Sequence, residues 1–352
     1  MSDSSRRLRV VVATPLSEQH CQRILQLEPR IDLVRDHRLY PPMRHPADFS
    51  GDPSFRRTPA QQQAFEEMVD TAEVLYGIPD VDPSALKRTV DTNPHLRWVH
   101  IMAAGGGSQV KAADLNSEQL SRIIFTTSAG VHGGPLAEFA IFGLLAGAKD
   151  LPRLQSQQRE RRWSGRWEMR QVSEMTALVA GLGGIGSEVA RRLAALGVRV
   201  IGTSRHQRPV EHVDRVITPE EIARVAGDVD AIISTLPGTA ATDKLIGAGV
   251  FAAVKPGIIV VNVGRGTVID EDALVEALDD GRVGFAALDV FATEPLPSSS
   301  PLWDRANVLI SPHTAALNTA EDRLIAELFA ANATRLLDGG KLVNQVDTVD
   351  YY

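Results

Sequence analysis

Short apolar runs alternate with amphipathic stretches along the first part of the chain. Four runs have the length and β-branched content of strands, at residues 9–13, 31–34, 73–76 and 96–102. Residues 21–27 show the amphipathic pattern of a helix. Because strand and helix patterns alternate, we expect a parallel, doubly wound α/β layer. Residues 36–59 are rich in proline and polar side chains, which predicts a long loop or insertion lying over a cleft.

The same alternation is clearer in the second part of the chain. An apolar run at residues 176–180 precedes five further strand-like runs, RVIGTS, DAIISTLP, GIIVVNVG, GFAALDV and NVLIS. Residues 136–151 predict a buried helix entering this region, and residues 315–337 predict a helix returning to the first part. We therefore expect an α/β protein of two doubly wound domains, residues 1–129 with 315–352 and residues 130–314.

Composition narrows the classes of protein. The 352 residues favour two domains, and 43% hydrophobic with 23% charged residues is typical of globular chains. A net charge of −7 argues against a dedicated nucleic-acid or anionic-membrane binder. The arginine-rich segment 151–170, with Trp163 and Trp167, is therefore expected to be an interface or a solvated arm.

The cysteine count and the lengths of the apolar runs predict whether the chain has disulfides, metal sites, a signal peptide or a membrane span. The single cysteine, Cys21, excludes a disulfide within the chain and a cysteine-based zinc site, and we expect no bound metal. The N-terminal apolar run is too short for a signal peptide. The longest apolar stretch, residues 139–148, falls short of the roughly 20 residues that span a bilayer. A cytoplasmic protein without membrane contact is expected.

A glycine-rich turn, GLGGIG, follows the first strand of the second part. Gly181 permits a tight turn, Gly183 lets the backbone approach a pyrophosphate, and Gly186 lets the next helix close on the strand. Since an apolar strand precedes the turn and a helical pattern follows it, dinucleotide binding is favoured over an ordinary tight turn. Gly184 and Ile185 complete the expected cofactor contacts in this turn.

The end of the next strand is expected to select the cofactor. A carboxylate there would bind the ribose hydroxyls of NAD, but the sequence has Ser204 and Arg205. A guanidinium can pair with the 2′-phosphate of NADP, so we expect NADP(H) to be preferred, with NAD(H) possible. The alternative is that Arg205 is a solvated turn residue that stacks on adenine, and that the protein accepts either cofactor.

Three polar side chains that can bind or protonate a substrate follow the last predicted strands. Arg265 lies between two glycines after one strand, Glu294 follows the next, and His313 follows the last. Ligands of such sheets bind at the carboxyl ends of strands, where an Arg can grip a carboxylate bidentately. A His paired with a carboxylate can hold a proton near neutral pH and deliver it to a carbonyl. Asp270 is expected to cap the following helix.

These segments together resemble one known family, the D-isomer-specific 2-hydroxyacid dehydrogenases, in its glyoxylate/hydroxypyruvate reductase-like form. The motifs stand in the family's order and cover roughly residues 98–337: GLGGIG, STLPGTAATDKLIG, NVGRGTVIDEDALVEAL, LDVFATEPLP and SPHTAA. The resemblance implies a flavodoxin-like substrate domain beside a Rossmann-type dinucleotide-binding domain, and a homodimer.

The resemblance also implies roles for individual residues. Arg265 would bind the carboxylate and carbonyl of a 2-oxo acid, His313 would be the acid/base, and Glu294 would pair with His313. Asp289 would hold the nicotinamide carboxamide. The remaining cofactor contacts would be Leu236, Pro237, Thr242 and Val263.

The substrate loop of the family aligns with residues 102–107. The backbone of Ala104, Gly105 and Gly106 would receive the substrate carboxylate, since small residues bare the backbone donors. The triple glycine departs from the family's usual form, which resembles SAGVD. His132, in the segment that enters the cofactor domain, is expected to be a hinge or packing residue rather than a second catalyst.

The function expected is reversible hydride transfer between NADP(H) and a small 2-oxo acid or D-2-hydroxy acid, of the glyoxylate/hydroxypyruvate reductase type. Two other readings stay open. One is an NAD-linked D-2-hydroxyacid or phosphoglycerate-type dehydrogenase. The other is a corepressor-like regulator that senses dinucleotide without turnover, because the family includes such proteins.

Overall fold

The computed structural model describes residues 7–205, 208–349 and 351. The chain forms two compact units, Met1–His132 with Leu317–Tyr352, and Gly133–Ala316. The sequence predicts divisions at 129/130 and 314/315. Both units are doubly wound α/β layers built on parallel sheets.

The first unit is built on a five-stranded parallel sheet with the order β2-β1-β3-β4-β5, as in flavodoxin-like folds. Its valine-rich first strand is fully buried at Val10, Val11 and Val12, which is typical of a parallel strand covered on both faces. The elements in chain order are β1 (Leu8–Val12), α1 (Glu18–Leu27), β2 (Ile31–Val34), α2 (Pro59–Val69), β3 (Val74–Tyr76), α3 (Pro83–Thr92), β4 (Trp98–Ile101), α4 (Gly107–Ala112), α5 (Ser117–Arg122) and β5 (Ile124–Thr127).

A helix near the end of the chain completes the core of the first unit. Phe329, in the helix Glu321–Leu337, is fully buried and stacks on Trp98 of β4 with ring centroids 4.8 Å apart. Arg23 of α1 forms an ion pair with Glu327 of the same helix. The predicted return of the chain to the first part therefore has a packing reason, the burial of large aromatic surface.

The second unit is built on a seven-stranded parallel sheet with the order β12-β11-β10-β9-β6-β7-β8, which is the Rossmann order with one added strand. The long helix α6 packs on β10 and β11 of this sheet. The elements are α6 (Gly133–Ala148), α7 (Leu151–Arg159), β6 (Thr176–Ala180), α8 (Gly184–Ala195), β7 (Arg199–Thr203), β8 (Arg215–Ile217), α9 (Ile222–Val225), β9 (Ala231–Ser234), α10 (Ala248–Ala253), β10 (Ile258–Asn262), α11 (Glu271–Asp279), β11 (Val283–Leu288) and β12 (Val308–Ile310), and the helix Glu321–Leu337 of the first unit is α12.

The structure contains two strands that were not predicted, and it corrects the role predicted for one residue. The strands β5 and β8 were not predicted; β8 has three residues at the sheet edge, too few to show a period. Asp270 lies at the N-cap of α11, but its side chain makes no capping hydrogen bond and lies 3.4 Å from Lys244 Nζ instead. The capping role predicted for Asp270 is therefore wrong, because its carboxylate turns to the lysine.

The segment 36–59 holds only a short 3-10 helix, His37–Leu39, and is otherwise irregular. Asp48 is buried in it and pairs with Arg44 at 2.7 Å. Asp322 of α12 accepts a hydrogen bond from the Ala47 N–H. These contacts tie the segment to the first unit. Among the described residues, no helix combines the length and the apolar character needed to cross a membrane.

Candidate active site

Five strands of the second unit end in register at one edge of the sheet. Ala180, Ser234, Asn262, Leu288 and Ile310 are consecutive partners across β6, β9, β10, β11 and β12. Each of these residues is the last of its strand, so the loops that follow all begin at the same edge. Such carboxyl ends are where ligands of open α/β sheets bind.

The glycine turn after β6 has the geometry of a pyrophosphate site. Gly181 has φ 101°, in the left-handed region that favours glycine. A Cβ atom on Gly186 would lie 1.8 Å from the carbonyl oxygen of Gly181, so no side chain fits there. Gly183 and Gly184 are exposed, and a Cβ on either would meet nothing within 4 Å. Because the first N–H groups of α8 lack intrahelical partners, this turn fits an anionic pyrophosphate.

The end of β7 is bound to the glycine turn. The Thr203 hydroxyl accepts a 2.8 Å hydrogen bond from the Gly181 N–H, and the Leu182 N–H donates to the Thr203 carbonyl at 3.0 Å. Ser204 is half-buried and Arg205 exposed, directly after this strand. The neighbouring His206 lies outside the described residues. A ribose beside the turn would therefore meet Ser204 and Arg205, with no carboxylate in residues 203–205.

The other predicted cofactor residues lie along the same edge of the second unit. Leu236 and Val263 are buried, Ile185 is half-buried, and Pro237 is exposed. The Thr242 hydroxyl donates to the Pro237 carbonyl at 2.6 Å and accepts from the Thr239 N–H at 2.9 Å. Thr242 thus closes the loop that begins at Pro237. A cofactor contact by its hydroxyl stays a prediction.

Arg265 is presented by a backbone that only glycines allow. A Cβ on Gly264 would lie 2.5 Å from the Leu236 carbonyl oxygen, and one on Gly266 would lie 1.8 Å from the Phe291 carbonyl carbon. The loop after β10 is therefore wedged between the loops after β9 and β11, and it exposes the Arg265 side chain. The Asn262 amide donates to the Arg265 carbonyl at 3.0 Å, a contact that sequence reasoning missed.

His313 and Glu294 form a hydrogen-bonded pair. His313 Nδ1 lies 2.7 Å from Glu294 Oε2, and Glu294 Oε1 accepts a 2.9 Å hydrogen bond from the Phe291 N–H. Burial would raise the pKa of Glu294, but the hydrogen bonds from His313 and Phe291 and the charges of His313 and Arg265 lower it below its usual value. Glu294 is therefore ionised at neutral pH, so Nδ1 of His313 carries the proton of the hydrogen bond. This leaves Nε2 as the ring nitrogen that can exchange a proton.

Asp289 organises the loop that carries His313. Its Oδ1 atom accepts hydrogen bonds from the Ser311 hydroxyl at 2.6 Å and from the backbone N–H groups of Thr314 and Ala315 at 2.9 and 3.0 Å. The His313 N–H donates to the Asp289 carbonyl at 2.9 Å. Asp289 is 1% exposed. The structure thus shows a positioning role that sequence reasoning missed, and the contact with a nicotinamide amide stays a prediction.

The predicted substrate loop lies in the first unit, between β4 and α4. Gly105 is exposed and Ala104 half-buried, so their backbone is accessible there. Gly106 is buried, and a Cβ on it would lie 2.5 Å from the Ile101 side chain. A Cβ on Gly107 would lie 2.1 Å from the Tyr351 carbonyl oxygen. The last two glycines of the unusual triple glycine therefore serve close packing within this unit.

His132 is paired within the first unit. Its Nε2 atom lies 2.8 Å from Glu321 Oε1, and both side chains are largely buried, at 12% and 5% exposure. Glu321 begins α12, which lies 189 positions along the chain from His132. Nothing local in the sequence points to this partner, so sequence reasoning missed Glu321.

One group of metal-ligand types occurs among the residues that the structure describes, namely Glu18, Cys21 and His37. Hydrogen bonds from Arg35 and His37 hold the pKa of Glu18 below its usual range. Burial raises the pKa of the Cys21 thiol to about 12. Because Arg35 already neutralises the carboxylate and the thiol stays protonated, this group is a poor metal site.

Comparison with known proteins is consistent with this geometry. Residues 141–315 match the family described as D-isomer specific 2-hydroxyacid dehydrogenase, NAD binding domain. D-3-phosphoglycerate dehydrogenase of Mycobacterium tuberculosis is 32% identical over 282 residues, which are 78% of this chain and 52% of that protein. The chain thus spans about half the length of that relative.

Two further proteins resemble the chain. Glyoxylate/hydroxypyruvate reductase A of Serratia proteamaculans is 32% identical over 201 residues, 56% of this chain and 64% of that protein. A D-isomer specific 2-hydroxyacid dehydrogenase of Xanthobacter autotrophicus, solved with NADPH and MES, is 27% identical with a TM-score of 0.77 and covers 98% of this chain and 100% of its own.

Proposed function

The chain belongs to the D-isomer specific 2-hydroxyacid dehydrogenase family, whose members are NAD(P)-dependent oxidoreductases acting on CH–OH groups, and from this premise we propose that it is a 2-oxo acid reductase of the glyoxylate/hydroxypyruvate type. The reaction is reversible hydride transfer between NADP(H) and a small 2-oxo acid or D-2-hydroxy acid. The observation that carries the proposal is the 2.7 Å contact of His313 with Glu294 at the strand edge that also bears Arg265.

His313 is proposed as the acid and base of the reaction. Glu294 fixes the ring by binding Nδ1, so Nε2 delivers a proton to the developing alkoxide during reduction. In the oxidation direction the same nitrogen accepts the proton from the hydroxyl. The ionised carboxylate of Glu294 stabilises the imidazolium that forms. The nicotinamide of the bound cofactor supplies or accepts the hydride.

Arg265 is proposed to bind the substrate carboxylate and carbonyl. Its guanidinium is exposed, permanently charged and able to form two parallel hydrogen bonds with a carboxylate. In the first unit, the accessible backbone of Ala104 and Gly105, together with Gly106, is proposed to bind a substrate carboxylate.

NADP(H) is proposed as the preferred cofactor. Ser204 and Arg205 follow β7 where a ribose-binding carboxylate would stand in an NAD-selective site. The NADPH found in the Xanthobacter autotrophicus structure supports the proposal. We also propose that the enzyme acts as a homodimer, which light scattering would test by a mass twice that of the chain.

A phosphoglycerate-type dehydrogenase is the second candidate, favoured by the likeness to the Mycobacterium tuberculosis enzyme. An NAD-linked dehydrogenase of other D-2-hydroxy acids and a dinucleotide-sensing regulator without turnover are the remaining ones.

A spectrophotometric assay separates these candidates. Oxidation of NADPH and NADH is followed with glyoxylate, hydroxypyruvate, pyruvate and phenylpyruvate. In the reverse direction, reduction of NADP⁺ and NAD⁺ is followed with 3-phosphoglycerate. NADPH-dependent turnover of the small acids is expected. Turnover with NADH alone would refute the cofactor assignment and keep the enzyme class. Dinucleotide binding without turnover of any of these acids would favour the regulator.

A further inference from the structure

Four buried polar side chains form a hydrogen-bonded chain in the first unit, between the sheet and the predicted substrate loop. Trp98 and His100 lie on β4, Thr126 lies on β5, and Ser128 follows β5 directly. All four residues are 0% exposed. The proposed chemistry uses none of them. The chain of hydrogen bonds nevertheless ends where β4 ends and the loop begins.

The hydrogen bonds of this chain run in one direction. The Trp98 indole can only donate, and it donates to the Thr126 hydroxyl at 2.8 Å. The Thr126 hydroxyl donates its own proton to His100 Nδ1 at 2.8 Å, so the neutral ring carries its proton on Nε2. This Nε2–H lies 3.2 Å from Ser128 Oγ, and the Ser128 hydroxyl donates to the Ile101 carbonyl at 3.1 Å. With the ring proton on Nδ1 instead, the Thr126 hydroxyl would have no acceptor among the described residues.

Burial keeps the His100 ring uncharged. It lowers the pKa of His100 to about 3, so the ring holds the same single proton at every pH near neutrality. Trp98 and Phe329 pack against the ring, with centroids 6.1 and 5.6 Å away. Polar networks whose members are all hydrogen-bonded make a buried region rigid. The chain is therefore a fixed support for the residues that it reaches.

Ser128 binds two backbone carbonyl groups at the start of the substrate loop. Its hydroxyl donates to the Ile101 carbonyl, and its N–H donates to the Ala103 carbonyl at 3.2 Å. The peptide bond between Ala103 and Ala104 is trans, so its C=O and N–H groups point in opposite directions. The Ala104 N–H therefore points away from Ser128. Within the part of the chain that the structure describes, the N–H groups of Ala104 and Gly105 form no hydrogen bond, so both can bind an anion.

We propose that Ser128 and His100 are positioning residues for the substrate carboxylate. Ser128 fixes the backbone so that the Ala104 N–H is directed at the carboxylate, and His100 keeps the Ser128 hydroxyl turned to Ile101. The inference rests on the proposed function, because it takes the carboxylate to bind at residues 104–106. Loss of this support should weaken substrate binding and leave the hydride transfer itself intact.

The first test is Ser128→Ala, which removes the hydroxyl and keeps the backbone N–H. We expect KM for the 2-oxo acid to rise about tenfold, because the carboxylate loses one well-aligned hydrogen bond. We expect kcat to stay within about threefold of wild type, because the carboxylate is bound equally in the ground state and the transition state. The Kd of NADPH, from fluorescence titration, should not change. A loss of stability alone would reduce the active fraction and hence the apparent kcat, and it would leave KM unchanged.

Two comparisons separate positioning from a general effect of losing a buried polar group. Thr89→Val is the matched control, since it also removes a fully buried hydroxyl that donates to a backbone carbonyl, at 2.9 Å within α3. Its KM should equal that of wild type. His100→Leu removes the donor to Ser128 and should raise KM about threefold or more. His100→Gln keeps a side-chain N–H for Ser128 and should bring KM back toward the wild-type value.

The remaining outcomes each contradict part of the inference. A Ser128→Ala enzyme with KM within about twofold of wild type would overturn it and leave the proposed function standing. A lower kcat at unchanged KM, or an equal rise of KM in Thr89→Val, would overturn it as well, because either result describes a loss of core packing. Equal KM values for His100→Leu and His100→Gln would overturn the role of His100. A wild type that reduces no 2-oxo acid would refute the proposed function and the inference with it.

Discussion

Replacing Gly266 with alanine would test whether the loops after β10 and β11 hold Arg265 and Glu294 in one working arrangement. The new Cβ would lie 1.8 Å from the Phe291 carbonyl carbon, 2.0 Å from its oxygen and 2.4 Å from the Ala292 nitrogen. All three atoms belong to the backbone, so no side-chain rotation relieves the contact. The two loops must move apart.

The size of the movement follows from the distances. Ordinary contact begins at 3.4 Å, so the loops must separate by about 1.6 Å from the 1.8 Å approach. The Phe291 N–H that binds Glu294 lies on one side of this contact, and Arg265 lies on the other. Because misplacements of about 1 Å can cost roughly 100-fold in rate, we expect kcat/KM to fall at least about 100-fold. The overpacking should lower stability by about 1–3 kcal/mol.

The assay is steady-state reduction of the best 2-oxo acid, with NADPH affinity from fluorescence titration and stability from thermal unfolding. Cofactor affinity should fall less than kcat/KM, because the glycine turn of residues 181–186 makes its own contacts, whereas Val263, a predicted cofactor contact, directly precedes the displaced loop. Gly249→Ala is the matched control: its Cβ meets nothing within 4 Å, and it lies in α10, where alanine favours helix by about 1 kcal/mol. A Gly266→Ala enzyme with kcat/KM within threefold of wild type would refute the reasoning.

Three further predictions follow from the same contacts. His313→Ala should lose about 10²–10⁴-fold of turnover while NADPH titration stays normal, and near-normal turnover would remove His313 from the acid role. Arg205→Leu should raise KM for NADPH far more than for NADH, whereas equal increases would contradict recognition of the 2′-phosphate. Hydrogen bonds from Arg30, opposed by burial and aided by Thr334, lower the pKa of Glu28 to about 2, below its unfolded value of about 4.3. The stability that Glu28 contributes is therefore present above about pH 4.3 and lost as pH falls toward about 2. The difference in melting temperature between wild type and Glu28→Gln should shrink over that range. A constant difference would contradict the lowered pKa of Glu28 beside Arg30.

Local pattern was sufficient for most of the fold. Strands such as β6, β9 and β10 are continuous apolar runs, because parallel strands covered on both faces bury every side chain. The glycine turn after β6 could also be predicted from the sequence, because its requirements are local. Gly181 must adopt a left-handed φ, and Gly186 has no space for a Cβ atom. The edge strand β8 was not predicted, because its three residues are too few to show an alternation of apolar and polar positions.

The placement of the site residues at one edge of the sheet could be predicted for a similar reason. Arg265, Glu294 and His313 each follow a strand, and parallel strands bring their carboxyl ends to one edge whatever the details of packing. The structure joins His313 to Glu294 at 2.7 Å. The hydrogen bond between Asp289 and Ser311 could not be predicted from the sequence, because the path of a neighbouring loop decides which donors reach a carboxylate.

Only the tertiary structure decided which distant residues share a surface. Gly266 is required by the backbone at Phe291, and His132 pairs with Glu321 although 189 positions separate them in the chain. Periodicity and turn chemistry report on interactions within about one turn of helix or one strand. Contacts between residues hundreds of positions apart depend on how whole helices and strands pack. The partners in such contacts therefore become visible only in the tertiary structure.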